Sequence, residues 1–166
     1  MNNIKIINYL EKSIWQKKME QYESKIMIDS GSDNLISFAI IETPNISVGL
    51  SFEESSVYPK VKKSNKADEL FIGIDNRLIV LNTTEKKVIS RYALQSFFID
   101  VIHVSEFEYI IIEEIGVGRY GINSNRIWFT PTDLIEDFSI KKETISLKTN
   151  GEVIELSLLS GETLSQ

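Results

Sequence analysis

The chain is 166 residues long, 42% hydrophobic and 25% charged, with a formal net charge of −6 and no cysteine. This length fits one domain that buries a core without covalent staples, and the missing cysteine rules out disulfides, zinc–thiolate sites and a thiol nucleophile. The acidic balance speaks against nucleic acid, whose phosphates need clustered Lys and Arg, and suits solubility or a basic protein partner.

The opening residues MNNIKIINYLEKSIWQKK hold no apolar run long enough for a signal peptide. No apolar run approaches the length of a membrane span. The sequence therefore reads as a complete, unprocessed cytoplasmic protein. Ile4, Ile7, Leu10, Ile14 and Met19 recur at helical spacing, which predicts a helix over 4–20, capped at Asn2 or Asn3, with its apolar face on a sheet. KIMID (25–29) predicts a strand, and LISFAIIE (35–42) with ISVGLSF (46–52) predicts a hairpin about Thr43-Pro44-Asn45. EESSVYPKVKKSNKADE (53–69) is polar and aperiodic and reads as a surface loop.

From residue 70 to 159 the pattern is a β meander. ELFIGIDNRLIVLN turns at Asp75-Asn76, which pairs Ile74 with Arg77, Ile72 with Ile79 and Leu70 with Leu81. Both of its faces are apolar, so it belongs deep in the fold. SFFIDVIHV, EYIIIEEIGVG and NRIWFT follow as strands. In ETISLKTNGEVIELSL the Asn150-Gly151 pair signals a type I′ turn, placing Leu147 opposite Ile154 and Ile145 opposite Leu156. A strand–turn–strand echo begins at 69, 108 and 143, a spacing that suits blade-like units. Two to three such units are too few to close a propeller ring. The expected fold is a single mainly-β domain over 1–166: a meandering antiparallel sheet or sandwich with one N-terminal helix.

Few residues invite chemistry. His103 lies in a strand with no nucleophile motif beside it. Gly116-Val117-Gly118-Arg119-Tyr120-Gly121 matches GxGxxG literally, but a strand rather than a helix follows, so a glycine-rich bend explains it better than a phosphate loop. Glu113 and Glu114 are neighbours on a strand and point to opposite faces. Asp133, Glu136 and Asp137 would share a face on a helical turn, yet the spacing fits no metal loop. Thr130, Pro131 and Asp133 instead read as an N-cap, first-turn proline and capping-box acid, with Thr130 and Asp133 as structural caps. No cofactor and no metal are expected, and no catalytic residue is assigned.

What remains is an acidic surface that docks a protein. Glu113, Glu114, Trp128, Glu136 and Asp137 are the candidate partner-binding residues, with the tryptophan as aromatic anchor. Taking Trp128, Asp133-Leu134-Ile135-Glu136-Asp137 and the Asn150-Gly151 hairpin together, the chain resembles, in overall character, small acidic bacterial immunity proteins of polymorphic or contact-dependent toxin systems. That resemblance implies a cytoplasmic, non-enzymatic inhibitor that blocks a cognate toxin, often a basic nuclease domain. The alternative is a β-sandwich that binds a sugar or other small molecule on Tyr120, Trp128 and Phe129. Neither reading calls for nucleic acid or membrane.

Overall fold

The computed structural model describes residues 4–31, 33–53, 58–66 and 68–164. Among these, one helix, α1 (Lys12–Glu20), and fifteen strands form four sheets. The first sheet holds β1 (Lys5–Tyr9), β2 (Lys25–Asp29), β3 (Ser37–Glu42) and β4 (Ser47–Phe52) in the order β1-β3-β4-β2. The second is β5 (Lys60–Lys63), β6 (Glu69–Ile74), β7 (Arg77–Asn82) and β8 (Lys87–Ala93). The third is β9 (Phe98–Ser105), β10 (Glu108–Glu113), β11 (Gly116–Gly121) and β12 (Arg126–Pro131). The fourth is β13 (Ile135–Ile140), β14 (Thr144–Thr149) and β15 (Glu152–Ser157). The last three are antiparallel meanders in chain order.

The sheets stack face on face, which explains why the central strands are apolar on both sides rather than alternating. Ile41, Val48 and Leu50 of the first sheet meet Ile72, Ile79 and Leu81 of the second. The other face of the second sheet (Phe71, Leu78, Val80) meets Tyr109, Ile111 and Tyr120 of the third. Ile110, Ile112 and Val117, on the far face of the third, meet Ile145, Leu147 and Leu156 of the fourth. Full burial of each such side chain favours folding by about 1.5–3 kcal/mol. Among the described residues no core cluster joins the first sheet to the fourth, so the stack is open.

The two outer faces are finished differently. Trp15 and Met19 of α1, one turn apart, cover Phe38 and Ile40 of the first sheet, and the Trp15 indole donates to Ala39 O at 3.0 Å. The fourth sheet turns exposed Ser139 and Lys148 outward. On the same sheet, the Lys141 ammonium sits 2.9 Å from the Glu155 carboxylate.

The hairpin registers match the sequence reading. Ile72 faces Ile79 and Leu70 faces Leu81; Leu147 faces Ile154 and Ile145 faces Leu156. Asn150 and Gly151 both take positive φ (48° and 80°), as a type I′ turn requires. The sequence echo is the central hairpin of the second and third sheets and the last hairpin of the fourth.

Three expectations are corrected. The predicted helix over 4–20 divides: Lys5–Tyr9 is an edge strand on β3, and only Lys12–Glu20 is helical. Ile-rich KIINY has β-branched character, and its partner strand lies thirty residues on, beyond the reach of a local pattern. The helix begins after Glu11, which makes no side-chain cap bond; Asn2 and Asn3 lie outside the described residues. The predicted 53–69 loop contains β5, a short strand paired with β6.

Candidate functional site

Strand directions give the stack two loop ends. The upper end carries the β1–α1 link, the β2–β3 loop, the β6–β7 turn, the 94–97 connector, the β10–β11 turn and the β12–β13 link. The bond from Glu53 N to the Asp75 carboxylate (3.1 Å) and that from Ile135 N to Glu114 O (2.9 Å) tie successive sheets together here. The lower end carries the 43–46, 64–68, 83–86, 106–107, 122–125 and 141–143 segments.

The ends differ in charge. At the upper end Glu11, Asp29, Asp33, Asp75, Glu114, Asp133 and Glu152 outnumber Lys12, Lys60, Arg77 and Arg91. At the lower end lysines stand among the acids: Lys66 pairs with Glu69 (3.3 Å), and Lys87 pairs with Glu85. The upper end therefore carries the more negative potential of the two.

Beneath the upper loops lies Glu113. It is fully buried. Its carboxylate accepts Gln95 N (2.5 Å), Ser96 N (2.9 Å) and the Tyr120 hydroxyl (3.1 Å). Burial pushes its carboxyl above the usual range, and the three hydrogen bonds and Arg126 oppose that shift. Glu114 N donates to Phe97 O (2.8 Å), Ile115 N to the Ser96 hydroxyl (3.1 Å) and Thr132 N to Ile115 O (3.1 Å). Three loops from different parts of the chain are thus stitched into one surface. Glu113 is therefore no partner-binding residue: it is the acceptor that holds the 94–97 connector. The alternation Tyr109, Ile111, Glu113 places it on the same face as two core residues, and that is the signal the sequence offered.

The other sequence candidates disperse. Glu114 is half-buried at the β10–β11 turn. Glu136 is exposed and pairs with Lys148 (2.8 Å), and the Asp137 carboxylate accepts its neighbour Phe138 N (2.8 Å). A bulge between Ile135 and Asp137 separates them from any helical geometry. Trp128 is half-buried against the third and fourth sheets, and its indole donates to Leu159 O (3.0 Å). It anchors the chain's own C-terminal segment.

Thr130 and Asp133 do not cap a helix. Thr130 lies within β12 and donates to Gly161 O (2.6 Å), while Asp133 is exposed in the link to β13. Pro131 ends an edge strand, where its missing N–H costs no ladder bond. No group of acids or histidine able to hold a metal occurs among the described residues.

The GxGxxG run is β11, a strand rather than a bend. A Cβ on its Gly116 would collide with the Phe129 ring across the ladder, and one on Gly118 with the ring of Tyr120. The three proposed platform aromatics are divided: Tyr120 sits in the core between the second and third sheets, Trp128 in the one between the third and fourth, and Phe129 lies under Arg126.

At the lower end His103 Nε2 lies 2.7 Å from the Ser64 hydroxyl, the separation of an activated nucleophile. The hydrogen-bond sense argues otherwise. Ser64 gives its one proton to the Glu69 carboxylate (3.1 Å) and accepts from Lys66 N (3.1 Å). The tautomer of His103 that completes this network is Nε2–H, which donates to Ser64. Its ring packs edge-on against Phe71 and Tyr109. His103 and Asp133 lie at opposite ends of the third sheet and do not combine.

No protein-family model and no curated protein matches the chain. Solved structures do. BamB from Moraxella catarrhalis aligns at 13% identity and a TM-score of 0.55, over 84% of this chain and 47% of that one. Hsv2 from Kluyvelomyces marxianus aligns at 12% identity and 0.51, over 77% and 47%. The computationally designed Ika4 protein aligns at 11% and 0.53, over 69% and 74%. The chain thus spans about half the length of BamB and Hsv2. The structural neighbours are β-propeller proteins, and the likeness is one of fold. Where the sequence suggested two or three blade-like units, the described chain holds four stacked sheets of β-propeller type, in an open run.

Proposed function

We propose that the protein is a non-catalytic binding module that docks a basic protein partner through its acidic upper loop end, acting as an immunity-type inhibitor that covers a toxin domain. The observation that carries this reading is the separation of charge between the two loop ends, on loops held in place by backbone hydrogen bonds. Carboxylates on such a face steer a Lys- and Arg-rich surface into register and raise the association rate. The Ser64–His103 pair supports the non-catalytic side of the reading, because its proton runs toward Glu69.

The test is native mass spectrometry and affinity capture with the wild-type protein and a Glu114→Lys/Asp133→Lys double variant. A basic partner retained by the wild type, released by salt and lost by the variant is the expected result. Capture that ignores both salt and the double charge reversal would remove the acidic end from the mechanism.

A further inference from the structure

We infer that the partner's contact is centred on Ile115 and Leu134, and that it takes a protein surface offering an apolar pocket ringed by Lys or Arg. This rests on the acidic-end reading above and assigns its hot spot. Both side chains are about half exposed, 44% and 51%, although they belong to loops at the junction of the third and fourth sheets. Each is flanked by a carboxylate, Glu114 beside Ile115 and Asp133 beside Leu134.

The backbone beneath them is fixed. Thr132 N donates to Ile115 O, and Ile135 N donates to Glu114 O, so the two loops lie against each other. The buried Glu113 carboxylate holds the neighbouring connector from below. Aliphatic side chains on loops already ordered bind without a large ordering cost, which is what a hot spot requires. Elsewhere at this end Leu10 is 98% exposed, but it stands in a short link between a strand and α1 with no such stitching.

The chemistry of the rim selects the partner class. Carboxylates beside the anchors repel lipid phosphates and nucleic-acid phosphates alike, and a molecule of net charge −6 adds to that repulsion. A cationic protein surface is the class that gains from both the anchors and the rim.

The test is a backbone amide NMR titration with two defined probes: a pentapeptide alternating Arg and Leu, and its Glu/Leu counterpart. Vesicles of phosphatidylcholine with phosphatidylglycerol form a third arm. The Arg/Leu peptide should move amides in 95–97, 114–116 and 132–135. Leu134→Asp should weaken it by at least about tenfold with an unchanged melting temperature, and the acidic peptide should leave these amides in place. Equal binding by Leu134→Asp, equal shifts with the acidic peptide, or binding to the vesicles instead would overturn the assignment. Shifts centred on Leu10 and Ile36 would overturn this hot spot while leaving the acidic-end reading standing. No shifts by the cationic peptide, together with capture of a basic partner lost in the Glu114→Lys/Asp133→Lys variant, would likewise overturn the hot spot alone. Failure of both experiments would remove the two together.

Discussion

The two loop ends of the stack solve the same problem by opposite means. At the upper end a carboxylate is sunk beneath the loops and the loops are hung from it: Glu113 takes two backbone amides and a tyrosine hydroxyl. At the lower end the order is reversed. A histidine is wedged between Phe71 and Tyr109 and hydrogen-bonds to Ser64, whose hydroxyl donates to a carboxylate that pairs with Lys66. One end buries its acid and shows aliphatics and free carboxylates; the other buries rings and shows ion pairs. The difference teaches that an acidic residue near a turn is no guide to an acidic surface until its hydrogen-bond partners are known.

Glu113→Ala is the strongest way to break this contrast. It orphans Gln95 N, Ser96 N and the Tyr120 hydroxyl together, and should cost about 3 kcal/mol or more in denaturant unfolding. A loss below about 1 kcal/mol would mean that the loops are held by other means. Glu113→Gln, which keeps an oxygen for the two amides, should cost distinctly less.

The pH dependence should have opposite signs at the two ends. Burial raises the Glu113 carboxyl above its unfolded value of 4.5. The folded state therefore holds that proton more tightly, and this contribution to stability is complete below 4.5 and lost as pH rises through the raised value. Burial lowers His103 below 6.5, with Glu69 opposing that shift and Lys66 and Lys62 adding to it. Its contribution is complete above 6.5 and lost as pH falls through the lowered value. Melting temperature against pH, measured for wild type, Glu113→Gln and His103→Gln, separates the two. Each variant should flatten one limb only.

Smaller effects sharpen the picture. Thr130→Ala releases the Gly161 carbonyl from β12 and should cost about 1 kcal/mol, with faster proteolysis of the 158–164 segment as the local readout. Lys62→Ala removes the ion pair to Asp100 (2.6 Å), which joins β5 to β9 at partly exposed positions. It should cost no more than about 1 kcal/mol, and a larger loss would show that the lower end depends on that pair.

Local pattern sufficed wherever partners are adjacent in sequence. The registers of β6–β7 and β14–β15 follow from their turns, because a two-residue loop leaves no freedom in pairing. It failed where the partner is remote. β1 pairs with a strand about thirty residues away, and KVKK becomes β5 only because β6 offers an edge. The candidate site was legible in composition but not in position. Acid clustering near turns suggested a docking face, and the structure places Glu114 and Asp133 at the upper loop end. Ile115 and Leu134 went unassigned because aliphatics beside acids look like ordinary strand ends until the loops are seen to be stitched. Thr130 read as a cap because Pro131 and Asp133 follow it as in a helix start, but its hydroxyl donates to a carbonyl thirty-one residues away instead of accepting from a local N–H.

The finish on the two outermost faces has a consequence for growth. In a stack of sheets each apolar face invites another layer, and a repeat array stays dispersed only when its terminal layers are made unreceptive. Here α1 seals one face with Trp15 and Met19, and the other is left wet with Ser139 and Lys148. Each face is thus less receptive than a bare apolar sheet, one through a helix and the other through polar side chains, although Met27 beside α1 and Val153 beside Lys148 remain exposed.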